Sequence, residues 1–495
     1  MDVIWRLLGS PARIAPPRVQ SDDVYPVHML DDTKTLRGIV VAWTMRVDDV
    51  LDPEKLHGAL ARLLEIGDWK KLGGRLRVKD DGGLELHVPQ PFTTERPAVS
   101  YSHEVIPMNI ADHPLAKRFP SRTVGPSVQP GPPAFRSFAA RQGAPTTLED
   151  FIYTDNPQLS LHITSFQDTT LLGLSFPHTA MDVMGQQALL RSWCLVLAGR
   201  ESDVPPLLGA REDRLIAAVK NNGAKEDFKL ASKVMQGFGL LKFGMRFALD
   251  MARNPVVETK SIFLPQATVA ALRKQVEMDL GPSEDGKAPF ISTGDVLTAW
   301  ATRAIASSLP QPRPVTVLHA LNTRFRLKPL IEAQGVFVQN MAVAAYTFLS
   351  ADEALDSLGQ IALENRRQLA EQATEGQVLS FLHELLKDSK TGGDPRVLCG
   401  DSDALLLPFT NWDRANMYET ADFGPAVMDA TKTSTRSSPP GTLSYHHADS
   451  MVDSSAGRNV VVVLGKDHGG NYWLTGLLLP ATWARIEEEF MTLCA

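Results

Sequence analysis

The sequence predicts an α/β protein of two similar-sized domains, each a mixed sheet with helices. Three observations carry this. Segments with strand and helix periodicity alternate in both halves of the chain. A middle stretch, 201–260, loses its period at "ESDVPPLLGARED" and then turns helical and Lys-rich, as a crossover between halves would. At ~100–200 residues per domain, 495 residues also exceed one domain. The division expected is 1–200, a crossover at 201–260, and 261–495.

In chain order, "VVAWTMRVDD" (40–49) is apolar and β-branched, a strand. In "DPEKLHGALARLLEI" (52–66), Leu56, Leu60, Leu63 and Leu64 recur at helical spacing, behind Asp52 as cap and Pro53 at the first helical position. "GGRLRVKDDGGLELHV" (73–88) alternates about a turn at 80–83, a hairpin. Residues 119–150, rich in Pro, Gly, Arg and Ser, are expected to form a long surface loop. "LSLHITSFQDTTLLGLSF" (159–176) reads as a second hairpin turning near Asp168, and a helix follows from about Met181 to Ala198, stopped by Gly199. In the second half, "SIFLPQATVAALRKQVEMDL" is strand then helix, and Ser292-Thr293 opens a long helix over 292–309. Strands are expected at 313–324 and 340–350, a helix at 351–373, a hairpin at 459–480 and a terminal helix at 481–493.

Hydrophobic content of 43%, 22% charged residues and a formal charge of −7 are ordinary for a globular protein and give no basic excess for nucleic acid. Cys194, Cys399 and Cys494 are odd in number and without CxxC spacing, which argues against a disulfide framework or a zinc site and fits a cytoplasmic protein. The start, "MDVIWRLLGSPAR", lacks the regions of a signal peptide, and no apolar run reaches the 18 or more residues of a membrane span. No His or Cys pair at ligand spacing has a third partner, so no metal is expected.

The stretch "LSFPHTAMDVMGQQALL" carries the chemistry. An apolar strand ends at Pro177-His178, and Asp182 follows as a helix begins. A neutral imidazole is the usual general base near pH 7. Two roles compete for Asp182: orienting the imidazole as in a triad, or pairing with an Arg to hold the loop. Taken alone, His-x-x-x-Asp arises often by chance, and a satisfied structural His is the commoner case. No Gly-x-Ser-x-Gly is present, so a working His178 would activate a nucleophile belonging to the substrate.

Five further stretches stand in order around it: "LGGRLRV", "ISTGDVLTAW", "LNTRFRLKP", "VQNMAV" and "TNWDRANMYETADFGPAV". Together they resemble the BAHD acyltransferases of the CoA-dependent acyltransferase superfamily, above all the fungal branch associated with secondary metabolism. The resemblance runs from about residue 25 to the C-terminus. It implies two such domains with a tunnel between them, working as a monomer. Acyl-CoA, acetyl-CoA by default, would be co-substrate, and a small hydrophobic alcohol or amine the acceptor. His178 would take the acceptor's proton, with no acyl-enzyme. Thr410, Asn411 and Trp412 would lie nearest the oxyanion, Ser292 and Thr293 near CoA. Asp182 would face away and pair with Arg324, and Asp422 would support the loop under the site.

The chain also departs from the family. Asp-Phe-Gly-Pro-Ala replaces Asp-Phe-Gly-Trp-Gly, and Gln339-Asn340 stands where Gly-Asn is usual. "YHHAD" (445–449) has the wrong spacing and position for a condensation-domain signature, so His446 and His447 are expected in a loop. Asp295 and Arg326 are expected as capping or solvent-exposed charges. Lys225, Lys229 and Lys233 could meet CoA phosphates, although a solvated helix face is their ordinary reading. The same cleft could also serve a CoA-independent condensation, cyclisation or acyl exchange. A non-catalytic binding protein is a third reading, against which the intact His178, Asp182 and Arg324 speak.

Overall fold

The computed structural model describes residues 13–494 apart from 224–225, 282–288, 388–392, 395–396, 429–437 and 455. The N-terminal apolar patch up to residue 12 and Lys225 lie outside the described residues.

The run Thr170–Pro177 is a strand buried along its whole length, as suits a continuous apolar run at the centre of a covered sheet. It pairs antiparallel with Ser160–Ser165 on one side and Val40–Val47 on the other. The sheet they centre has five strands, in the order Leu443–Ser450, Val40–Val47, Thr170–Pro177, Ser160–Ser165, Ser100–Val105. A seven-stranded sheet runs Ala342–Leu349, Val315–Asn322, Leu405–Asn411, Val460–Lys466, Tyr472–Leu478, Glu258–Leu264, Ser127–Pro130. The expected hairpin, Arg75–Val78 with Leu84–Val88, joins Asp23–Pro26 in a small third sheet.

Each large sheet has its own apolar core. The first gathers Trp43, Leu60, Leu174, Phe176, Leu189 and Trp193, so the helices Pro53–Leu63 and Val183–Leu197 bury their apolar faces there. The second gathers Leu297, Trp300, Val317, Ile361, Leu407 and Trp483. The helix expected over 351–373 begins later, at Leu358, because Ser357 caps it. Among the described residues no helix is long and apolar enough to cross a membrane.

The sequence misplaced two segments. Residues 119–150 are not simply a surface loop. Ser127–Pro130 pairs with Glu258–Leu264 in the second sheet, and the 3₁₀ turn Pro132–Phe138 buries Phe135 and Phe138. The turn crosses so close to the first sheet that a Cβ on Gly173 would lie 2.4 Å from the Phe138 carbonyl oxygen. Conversely, Leu443–Ser450 of the second half adds to the edge of the first sheet beside Val40–Val47. The halves therefore exchange edge strands. An edge offers unpaired backbone groups that any extended segment can satisfy, and composition does not report that. His446 and His447 lie inside this strand, not in a loop, and both are buried. Burial holds their pKa values down to about 4 and about 3, so both rings are neutral.

Candidate active site

The first sheet mounts His178. Its backbone N–H, one residue beyond the strand, still donates to the Ile39 carbonyl at 2.9 Å. Its own carbonyl accepts from Asn340 Nδ2 at 2.9 Å. Asn340 is locked in turn: its backbone N–H and Nδ2 donate to Asp31 Oδ1 at 2.7 and 2.8 Å. The main chain of His178 is thus held from both sides while its ring stays half-buried. Burial lowers the imidazole pKa below the ordinary value, opposed by its own carbonyl, by Asp182 and Asp31 and by Asn340. A ring neutral at pH 7 can accept a proton.

Asp182 faces the other way. It is the N-cap of Val183–Leu197, with Oδ1 accepting from Gly185 N–H at 3.0 Å. Arg324 forks onto it, Nη1 to Oδ2 at 2.8 Å and Nη2 to Oδ1 at 3.0 Å. The Met341 N–H adds 3.0 Å to Oδ2. Four donors share the two oxygens. Arg324 Nη2 also donates to the carbonyls of Phe337 and Gln339, at 3.0 and 2.6 Å. Asp182 and Arg324 are each only 8% exposed. A bidentate pair with both carboxylate oxygens doubly bonded is the geometry in which a buried ion pair is tolerable, and only Arg324 Nε has no hydrogen-bond partner among the described residues. The pair clamps the helix start that follows His178 to the segment 337–341.

That clamp explains Gly185. A Cβ there would lie 2.2 Å from the Val338 carbonyl oxygen, a backbone atom that cannot swing aside. Gly185→Ala is expected to cost about 1–3 kcal/mol by overpacking, read as a lower melting temperature with acyl transfer reduced alongside.

A second cluster gathers where Leu405–Asn411 ends beside the start of Thr293–Ser307. Ser292 caps that helix in a capping box with Asp295, and Thr293 contacts Tyr472. A cavity of about 230 Å³ is lined by Ser292, Gly294, Thr298, His319, Arg326 and Asn411, with Arg366 at its wall. Asp295 does cap, but it is also buried, bonded by Asn365 at 2.9 Å and by Arg366. Arg326 is not a solvated charge: burial, then Arg414 and Arg366, push its pKa down. Arg414 stacks on the Phe325 ring at 3.6 Å. This trio of cations escaped the sequence reading because its members come from three separate elements.

Thr410 lies in the ladder opposite Val462, Asn411 Oδ1 accepts from Asp413 N–H at 2.9 Å, and Trp412 N–H donates to the Val463 carbonyl at 2.8 Å. The two clusters share the segment 322–326, which carries both Arg324 and Arg326. Asp422 is exposed and closes a turn, Oδ1 accepting from Gly424 N–H at 3.0 Å, while Phe423 beside it is buried against Trp193 at 5.1 Å. Lys229 and Lys233 do not share a helix face. Lys229 sits in a turn and Lys233 ends the short turn Ala231–Lys233. Asn340 and Asp31 were also missed as site residues. The one signal was the Gln339-Asn340 pair, visible as a departure from the family pattern.

The fold is that of two-domain acyltransferases. It matches F. graminearum TRI101 complexed with ethyl coenzyme A at a TM-score of 0.64, over 95% of this chain and 98% of that one, at 14% identity. O-acetyltransferase PaAT-2 of Phomopsis amygdali is 37% identical over 490 residues, 96% of this chain and 99% of that protein. Acetyltransferase pyiB of Pyricularia grisea is 35% identical, over 96% and 95%. The pattern of the Transferase family matches residues 144–466. This chain belongs to the Transferase family, and it is an acyltransferase.

Proposed function

We propose that the chain moves an acyl group, acetyl by the names of its relatives, from CoA to a hydroxyl or amine of a small, mostly apolar natural product. The observation that carries this is a half-buried, readily neutral His178 at the exit of a rigid strand, with Asp182 committed to Arg324. His178 takes the acceptor's proton as its oxygen or nitrogen attacks the thioester carbonyl. Thr410, Asn411 and Trp412 are the proposed surroundings of the oxyanion. On collapse the C–S bond breaks, and His178 returns the proton to the CoA sulfur. The Ser292 cavity with Arg326, Arg366 and Arg414 is the proposed neighbour of the CoA phosphates, in place of the crossover lysines. Domains at 1–200 and 261–495, joined by 201–260, go with this reading, each lending the other a strand. A monomer goes with this reading, as does a cytoplasmic location, which the free, buried Cys194 and Cys399 suit.

The test is calorimetry of the full chain with CoA, then acetyl-CoA with a panel of hydroxylated acceptors followed by mass spectrometry. Binding and a product gaining one acetyl group are expected. Failure to bind CoA favours the CoA-independent chemistry. Arg326→Gln is expected to raise the CoA dissociation constant about tenfold, a change of ~1.4 kcal/mol. An unchanged constant would remove Arg326 from the CoA site.

The pH profile follows from His178. Its pKa in the fold lies below that of a free histidine, so the active neutral form persists below pH ~6.5. The acid limb of kcat/KM is expected to have its midpoint below that value. Stability linked to neutral His178 is present above the free value and is lost as pH falls through the folded one. Asp31 runs the opposite way. Burial raises its pKa to about 6, so its contribution is complete at low pH and is lost as pH rises through 6.

A further inference from the structure

The helix Gly237–Arg253 turns its apolar stripe outward. Phe238, Leu240, Leu241, Met245 and Leu249 are exposed, and no residue of the helix is buried. Three of its charges, Lys242, Arg246 and Asp250, face the protein. Lys242 Nζ and Arg246 Nη1 donate to the two oxygens of Asp403 at 2.8 and 2.7 Å, and Asp250 Oδ2 accepts from Arg313 at 2.7 Å. Beneath the helix lies a cavity of about 430 Å³, walled by Phe243, Phe247, Leu405 and Leu479.

Arg458 lines this cavity at 7% exposure. Among the described residues it has no ion pair, its Nε has no hydrogen-bond partner, and its guanidinium lies 5.7 Å from the Phe247 ring centre. Arg253, also lining the cavity and exposed, has no ion pair among the described residues either. Asp250, the carboxylate on the cavity wall, is already committed to Arg313, and Asp403, beside the lining Ala404, to Lys242 and Arg246. A buried guanidinium without a counter-charge is costly unless something supplies one.

We propose that this cavity is a binding site for a phosphate monoester on an apolar or aromatic body. Two uncommitted guanidiniums match a dianion, and their planar forks match phosphate oxygens. The phenyl walls, with Arg458 already over one of them, take the body of the ligand. The site stands apart from the acyl-transfer chemistry. Leu405 opens the strand that ends at Asn411, roughly 20 Å further along. Leu309 and Pro310 line the cavity just past the end of the helix that Ser292 caps, roughly 25 Å from that cap. Two sources share this chemistry: a soluble nucleoside monophosphate, and the headgroup of phosphatidate, whose bilayer would also receive the outward apolar stripe.

The test uses the full chain. Calorimetry with 5′-AMP forms one arm. The other is co-sedimentation with phosphatidylcholine vesicles, with and without phosphatidate. One-to-one AMP binding, or sedimentation only with phosphatidate, is expected. In the arm that binds, Arg458→Gln weakens binding at least tenfold and Arg253→Gln severalfold, with acyl transfer unchanged and no displacement by dephospho-CoA, which carries no phosphate monoester. Binding in neither arm overturns the proposal, as does displacement of the bound ligand by dephospho-CoA. Unchanged affinity in a folded Arg458→Gln protein overturns it as well. If that variant does not fold, unchanged affinity in Arg253→Gln, whose side chain is exposed, overturns it instead.

Discussion

Replacing His178 with alanine is expected to lower acyl transfer by about 10²–10⁴-fold, the usual contribution of a positioned general base. At 1.36 kcal/mol per decade this is ~3–5 kcal/mol of lost transition-state stabilisation. The effect should fall on kcat, with CoA affinity nearly unchanged, since the proposed phosphate neighbours lie in the other cluster. The fold should survive. The bonds that hold residue 178, to Ile39 and from Asn340, are made by its backbone. Initial rates of CoA release with acetyl-CoA and the matched acceptor check this. A rate within a few-fold of the parent protein would take His178 out of the mechanism.

Replacing Asp182 with alanine is expected to act first on stability. Arg324 would keep its charge at 8% exposure without a carboxylate. Breaking a buried pair from one side costs about 3–5 kcal/mol, and the lost N-cap at Gly185 adds about 1 kcal/mol. The melting temperature and the activity should fall together. Asp182→Asn retains a cap acceptor and should lose less. Replacing both partners, Asp182→Ala with Arg324→Met, should cost less than the sum of the single changes. A well-folded, normally stable but inactive Asp182→Ala protein would contradict this and assign Asp182 a direct part in the chemistry.

The site was legible in the sequence where local patterns carry it. Pro177-His178 after an apolar run, Asp182 at a helix start expected from about Met181, and Ser292-Thr293 opening a helix are short-range signals. Each came out as strand exit, N-cap and capping box. The resemblance added the pairing of Asp182 with Arg324, 142 residues apart. Helical spacing left that open, because the helix begins only after Asp182. Asp31, which braces Asn340 from 309 residues away, gave no local signal.

By itself the sequence determined the alternation of strands and helices and the α/β class, and it singled out the residue proposed as base. Those depend on hydrophobic period, capping chemistry and the pKa of imidazole, which are properties of neighbours along the chain. Only the tertiary structure decided that Ser127–Pro130 and Leu443–Ser450 change sheets. It alone buried His446 and His447, gathered Arg326, Arg366 and Arg414, and left Arg458 without an ion pair among the described residues, near a helix with its apolar stripe outward. The reason is physical: backbone edges and buried charges are satisfied by whatever segment arrives in space, and no spacing in the sequence encodes which one does.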